Sequence, residues 1–468
     1  MIEGALGEIL DAAACGRPEA GQVVFSGADP VLPVRYRIGT AGAASLAATG
    51  LAASNLWRLR TGRSQRVEID VRAAAISLRS ATYLRINGKP PAAPWAPLSG
   101  FYPVRDGWIS LHCNFPAHRD AALNVLGTSA DRALAQVASA AWDGEALEEA
   151  VHAAGGCAGF VRSAGRWAAH PQSAAVAAQP LLEIVRIGDA PPEPLPPGDR
   201  PLSGVRVLDL TRVLAGPTCA RSLAEHGADV LKVTAAHLAD SGEVDLDTGI
   251  GKLSARLDLR RPADADALRR LVREGDVFSQ SFRPGALAAR GFSPEALAAL
   301  RPGLVCVSLS AWGGTGPWRA RRGFDSIVQA VSGIAQACGT DGRPRLLPVS
   351  AIDYVSGYLM AFGAMVALER RAREGGSWLV RVALARTGRW IVDRGEVAPA
   401  DYLSLPADLP ADELARLTGE MDAPAGRIGH LRPVVRLSET PPHWTRPPVP
   451  LGYHEASWPG RAVGTAAS

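Results

Sequence analysis

Four stretches of this 468-residue chain carry residues whose type and spacing suit chemistry. The first is "RVLAGPTCARSLAEHGADVLKV", Arg212 to Val233, which reads as a strand end, a turn and a helix. The start of a helix offers unpaired N–H groups and the positive end of a dipole to an anion. Leu214, Ala215 and Gly216 form the turn, with Gly216 permitting close backbone approach and Pro217 suited to the first helical position. A phosphate, carboxylate or thioester oxygen would fit. The G-x-G-x-x-G pattern of dinucleotide sites is absent, which argues against a nicotinamide or flavin oxidoreductase. The second stretch, "SFRPGALAARGF", follows a predicted strand and places Arg283 and Arg290 where arginines bind phosphate, or where they are simply solvated. The third, "AWGGTGPW", sets Gly313 and Gly314 between tryptophans, as a mobile active-site loop or a long turn would. The fourth, "LPVSAIDYVSGYLMAFGAM", puts Asp353 at the mouth of an apolar helix, as an N-cap or as a reactive carboxylate.

These motifs need a scaffold, and the second half of the chain reads as one. Strands "VRVLDL", "DVLKV", "SARLDL", "DVFSQSF" and "LVCVSLS" alternate with helices over Cys219–Glu225, Pro262–Arg273 and Pro294–Leu300. That alternation predicts an α/β fold with an open, parallel, Rossmann-like sheet covered on both faces. A stiff linker with six prolines between Pro191 and Pro201 separates it from the first half. The expected organisation is 1–190 with a smaller α+β domain, the linker 191–200, the core 201–390 and a Pro-rich wrap with one short strand over 391–468. A weak repeat joins the halves: Gly39–Val71 lies on Ile352–Leu384 without a gap, each a small-residue helix, a glycine turn and an alternating strand. Thr40 then falls where Asp353 stands.

Composition excludes several classes. A net charge of +4 gives no reason to expect nucleic-acid binding. Six scattered cysteines without a C-x-x-C pair, and histidines without H-x-x-x-H spacing, predict free thiols and no metal site. No signal-like N-terminal run and no evident membrane span are read, so a cytoplasmic protein is expected.

Taken in order, "PLSGVRVLDLTRVLAGPTCARSLAEHGADVLKV", "LDLRRPADADALRRLV", "SFRPGALAARGF", "RPGLVCVSLSAWGGTGPW", "GFDSIVQAVSG" and "AIDYVSGYLMAFGAMVAL" resemble the class III CoA-transferases, a family that includes α-methylacyl-CoA racemases. The resemblance implies acyl-CoA and a carboxylic acid as substrates, no permanently bound cofactor, and a homodimer, often interlocked. It implies an acyl intermediate on Asp353, CoA contacts from the Leu214–Gly216 turn and Arg290, an aromatic contact from Phe282, and a phosphate contact from Arg322. Lys232 and Lys252 fall where the family often has lysines. There are departures: "TAAHLAD" lacks the family's Glu-Arg, and Gly323-Phe324-Asp325 stands where racemases have Gly-His-Asp. The first half resembles the family's later part, in "RTGRSQRVEIDV" and "FYPVRDGWISLHC", so the order of segments suggests partial duplication. The implied activity is CoA transfer through an aspartyl anhydride and an aspartyl-CoA thioester. The alternatives are an acyl-CoA isomerase on the same fold and a non-catalytic CoA-binding scaffold.

Overall fold

The computed structural model describes residues 1–93 and 95–460. Its centre is a seven-stranded sheet. In chain order the strands are β1 Leu182–Gly188, β2 Arg206–Leu210, β3 Asp229–Thr234, β4 Lys252–Arg256, β5 Val277–Gln280, β6 Val305–Ser310 and β7 Ser377–Ala383. They are arranged β4-β3-β2-β5-β6-β7-β1, all parallel except β1, which pairs antiparallel to β7. Without β1 this is the doubly wound order, in which the chain reverses direction between β2 and β5. The strands are nearly continuous apolar runs because helices cover both faces, and β2 is buried at every residue.

Five helices matter for the site: α1 Ile38–Thr61, α2 Ala215–Glu225, α3 Pro262–Arg273, α4 Pro294–Leu300 and α5 Ala351–Glu374. The last three parallel strands are reached through α3, α4 and α5. In α5, glycine and alanine let neighbouring backbones come close. A Cβ at Gly357 would lie 2.5 Å from the Ala215 carbonyl oxygen, and one at Gly363 would lie 2.6 Å from Val380 Cγ1. α5 is long and apolar enough to cross a membrane by length and composition, contrary to the expectation that no such stretch exists. It is a core helix, because its apolar window is wholly buried inside the protein.

The repeat seen in sequence has a structural counterpart. α1 and α5 are both 24 residues long, and the ungapped overlay matches their ends residue for residue. Gly50 meets Val67 as Gly363 meets Val380, helix against following strand. α1 packs beside α5, with the Thr49 hydroxyl donating to the Tyr358 carbonyl at 3.3 Å.

The two halves are interwoven across the linker. β1, from before the prolines, completes the large sheet. The linker is held down by Arg60, which donates to the carbonyls of Pro196, Pro201 and Ser203. A small antiparallel sheet, Gly100–Val104, Gly107–Leu111 and Ala158–Phe160, has its own apolar core and packs on the helix Asp325–Val331. The C-terminal segment holds three strands where one was expected. Thr418–Ala423 and Gly426–Leu431 form a hairpin on Arg85–Ile86, and Arg436–Leu437 pairs with Val67–Glu68 of the first half. Alternation in these strands is masked by glycine and charge, so sequence pattern did not reveal them. The six cysteines are free thiols, as expected.

Candidate active site

β2 ends at Leu210 and the chain must turn at once into α2. Val213 adopts φ +69°, a left-handed conformation that a β-branched residue rarely takes. Gly216 then passes so near the strand end that a Cβ would sit 2.3 Å from Thr211 Cβ. α2 begins at Ala215, earlier than predicted, and places Pro217 in its first turn.

The underside of this turn is held by buried charge. Asp209 accepts from the Thr211 N–H at 3.0 Å and from Lys252 Nζ at 2.8 Å. Lys252 also donates to the Pro217 carbonyl at 2.8 Å, and Lys232 donates to the Thr211 carbonyl at 3.3 Å. Burial pushes the Lys252 ammonium down to about 8, against the pull of Asp209. Both lysines were expected to hold CoA. The structure instead sets them beneath the turn, outside the walls of the cavities described below.

Above the turn, at the C-terminal ends of β2 and β5, lies a cavity of about 530 Å³. This is the switch point where open α/β sheets bind ligands. Leu214, Ala215, Phe282, Arg283 and Arg322, all expected to hold CoA, line it together with Arg212 and Arg321. Burial lowers the Arg322 guanidinium and repulsion by Arg283 adds to it, so the pair is set up to receive an anion. Gly216 packs beneath the rim. Arg290 is not in the wall; it is exposed and donates to the Leu259 carbonyl at 3.3 Å. Gly313 and Gly314 are not in the wall either. Their loop is pinned rather than mobile: Gln172 Nε2 donates to the Trp312 carbonyl at 3.0 Å, and Trp312 and Trp318 are buried against Trp167.

Asp353 is the third residue of α5, so it is not the N-cap; Ser350 holds that place. Its side chain is only 7% exposed, and among the described residues it receives no hydrogen bond. Its N–H donates to Asp325 Oδ2 at 3.1 Å. Burial pushes the Asp353 carboxyl well above the ordinary range, and the Asp325 charge pushes the same way. Asp325 is itself raised to about 6 by burial, against the hydrogen bonds it accepts from Gln329 and the amides of 352 and 353.

A second cavity, of about 490 Å³, opens on the other side of Asp353. Phe115, Val213, Leu214, Phe324 and Asp353 belong to both walls. The first half of the chain supplies much of this side: Arg79, Trp95, His112 and Asn114, with His118 facing the first cavity. None of these was anticipated. His112, Asn114 and Phe115 follow the strand Gly107–Leu111, within and just after the stretch "FYPVRDGWISLHC". Phe324 stacks flat on His112 with ring centres 3.8 Å apart. Burial pushes His112 down to about 3, and burial with nearby Arg322 and Arg212 pushes His118 to about 4, so both rings are neutral at pH 7.

Thr40, the counterpart of Asp353, lines neither cavity. Its N–H donates to Asp29 Oδ2 at 2.6 Å and that of Gly39 to Asp29 Oδ1 at 2.9 Å. A carboxylate thus holds the start of α1 as Asp325 holds the start of α5, but without a reactive side chain.

The chain matches CoA-transferase family III over residues 14–191 and again over 202–397. It belongs to that family. Among similar proteins, the succinyl-CoA–L-malate CoA-transferase alpha subunit of Chloroflexus aurantiacus is 34% identical over 215 residues, 43% of this chain and 50% of that one. The succinate–glutarate CoA-transferase of Agrobacterium fabrum is 34% identical over 203 residues, 39% of this chain and 51% of its own length. The chain therefore spans about half the length of the curated relatives it matches. A crystal structure of Rv3272 from M. tuberculosis is 31% identical with a TM-score of 0.39, covering 42% of this chain and 58% of that one.

Proposed function

We propose that the chain moves CoA between an acyl-CoA thioester and a carboxylic acid, with Asp353 as the nucleophile. The observation that carries this reading is the position of Asp353 on the wall common to a cavity with four arginines and a second one that has a single arginine and an aromatic and aliphatic face. The arginines suit the phosphates of CoA, and the other side suits the acyl group.

An Asp353 carboxylate oxygen attacks the thioester carbonyl carbon. The C–O bond forms, the C–S bond breaks, and CoA leaves as thiolate, giving a mixed anhydride. The thiolate attacks the Asp353 carbonyl and releases the first acid, giving an aspartyl-CoA thioester. A second acid attacks that thioester and repeats both steps in reverse, which restores the Asp353 carboxylate. No proton is gained or lost. A carboxylate is a weak nucleophile in water, and removing it from water is how this site activates it. Developing negative charge on the carbonyl oxygen is met by the amino end of α2 at Leu214 and Ala215.

Each chain then has one reactive centre, because Thr40 lines neither cavity. The first half serves as the opposite wall, an arrangement that a partial duplication would leave. The isomerase alternative draws on one feature, the neutral His118 beside the first cavity, whose Nδ1 has no partner among the described residues. Loss of an α-proton to deuterated solvent from an acyl-CoA would favour it. The transferase reading is tested by Asp353→Asn. The amide is close in shape and far less nucleophilic, so transfer should vanish with the fold intact; turnover at the parent rate would end this reading.

A further inference from the structure

The second cavity has a chemical character of its own. Trp95, Phe115, Phe324, Leu346, Leu347 and Val349 give it an aromatic and aliphatic face. Two of its polar side chains are committed to backbone amides. Asn114 Oδ1 accepts from the Ala96 N–H at 3.1 Å, and Gln329 Oε1 accepts from the Leu347 N–H at 2.8 Å. Among the described residues one arginine lines it, Arg79, and no lysine does. Arg79 is ion-paired to Asp408 at 3.3 Å and donates to the Ala407 carbonyl at 3.1 Å, and its Nε is closed off from the cavity space. Asp240, Asp325 and Asp353 stand on the same wall. The first cavity, by contrast, has four arginines.

A dicarboxylic acid that reacts through one carboxyl must place the other somewhere. In this cavity it would meet aspartates and apolar rings, with no cation free to pair with it. We infer that the second cavity holds the acyl group and selects an apolar monocarboxylic acid, ring-bearing or branched, over a dicarboxylic one. This rests on the transferase reading for the role of the cavity. It sets this chain apart from the succinyl-CoA–malate and succinate–glutarate relatives, whose names contain dicarboxylates. Discrimination of this kind is carried by unpaired buried polar groups and amounts to about tenfold or more.

The test is the affinity of the full chain for CoA, phenylacetyl-CoA and succinyl-CoA, measured by calorimetry. Phenylacetyl-CoA should bind more tightly than CoA, and succinyl-CoA about tenfold or more weaker than phenylacetyl-CoA. Leu346→Arg, at a half-buried position of the wall, should narrow that gap by about tenfold. Succinyl-CoA binding as tightly as phenylacetyl-CoA, or a gap that Leu346→Arg leaves unchanged in a folded variant, overturns the inference. Affinity and turnover separate the two claims. Ordered affinities without acyl exchange would sink the transferase reading and leave the choice of acyl group standing. Exchange with succinate preferred would do the reverse, and failure to bind CoA at all would remove both.

Discussion

Gly357 sits one turn after Asp353 and touches the start of α2, so it couples the reactive carboxylate to the turn that should bind the thioester. In Gly357→Ala the new Cβ would lie 2.5 Å from the Ala215 carbonyl oxygen and 2.7 Å from Thr218 Cβ. Ordinary contact needs about 3.5 Å, so the two helices must part by roughly 1 Å. Overpacking of this kind costs about 1–3 kcal/mol. The displacement falls between Ala215 and Asp353, where a shift of about 1 Å can cost about a hundredfold in rate. Gly363→Ala is the control. Its Cβ would meet Val380 Cγ1 at 2.6 Å, away from the cavities. Thermal denaturation should show a similar loss in both variants, while kcat/KM for acyl transfer falls steeply only in Gly357→Ala. Equal activity in the two variants, whether both are impaired or both intact, would refute the claim that this contact sets the site.

Arg322→Ala removes a charge-assisted contact worth about 1.5–3 kcal/mol, so CoA affinity should fall about ten- to a hundredfold, whereas Arg290→Ala should leave it unchanged in the same titration. Asp325→Asn removes the like charge beside Asp353; since the rate rises with pH as Asp353 ionises, the rising limb of the pH–rate profile should move to lower pH. Glu225 is buried and raised to about 8, so the folded chain holds its proton where the unfolded chain has lost it. Stability is therefore full below the ordinary carboxylate range and is lost as pH rises to about 8. Thermal melts of Glu225→Gln should show a flatter decline between pH 5 and 9, by about a few kcal/mol against the parent.

What the sequence revealed was what is contiguous in it. α4 was placed to the residue because Ser293 caps it and Pro294 starts it. The parallel strands are visible as short apolar runs between helices, and Leu214, Ala215, Phe282, Arg283 and Arg322, which line the first cavity, all stand in unbroken motifs. The lysines were misread because a scarce lysine near a strand looks like a phosphate ligand until its buried partner, Asp209, is seen. Arg79, His112, Phe115 and His118 were missed for a different reason. They lie more than two hundred residues from Asp353 and reach it only when the first half folds against the second, a contact no local pattern records. Two of the terminal strands, Gly426–Leu431 and Arg436–Leu437, also pair with segments of the first half, which no local pattern records.

The most direct test is covalent. The full chain incubated with an acyl-CoA and quenched with hydroxylamine should carry a hydroxamate at one position only, Asp353, at no more than one per chain by peptide mass spectrometry. No label should appear at Thr40, and none anywhere in Asp353→Asn. Transfer that proceeds without modification of Asp353, or a stoichiometric adduct on another residue, would contradict the account.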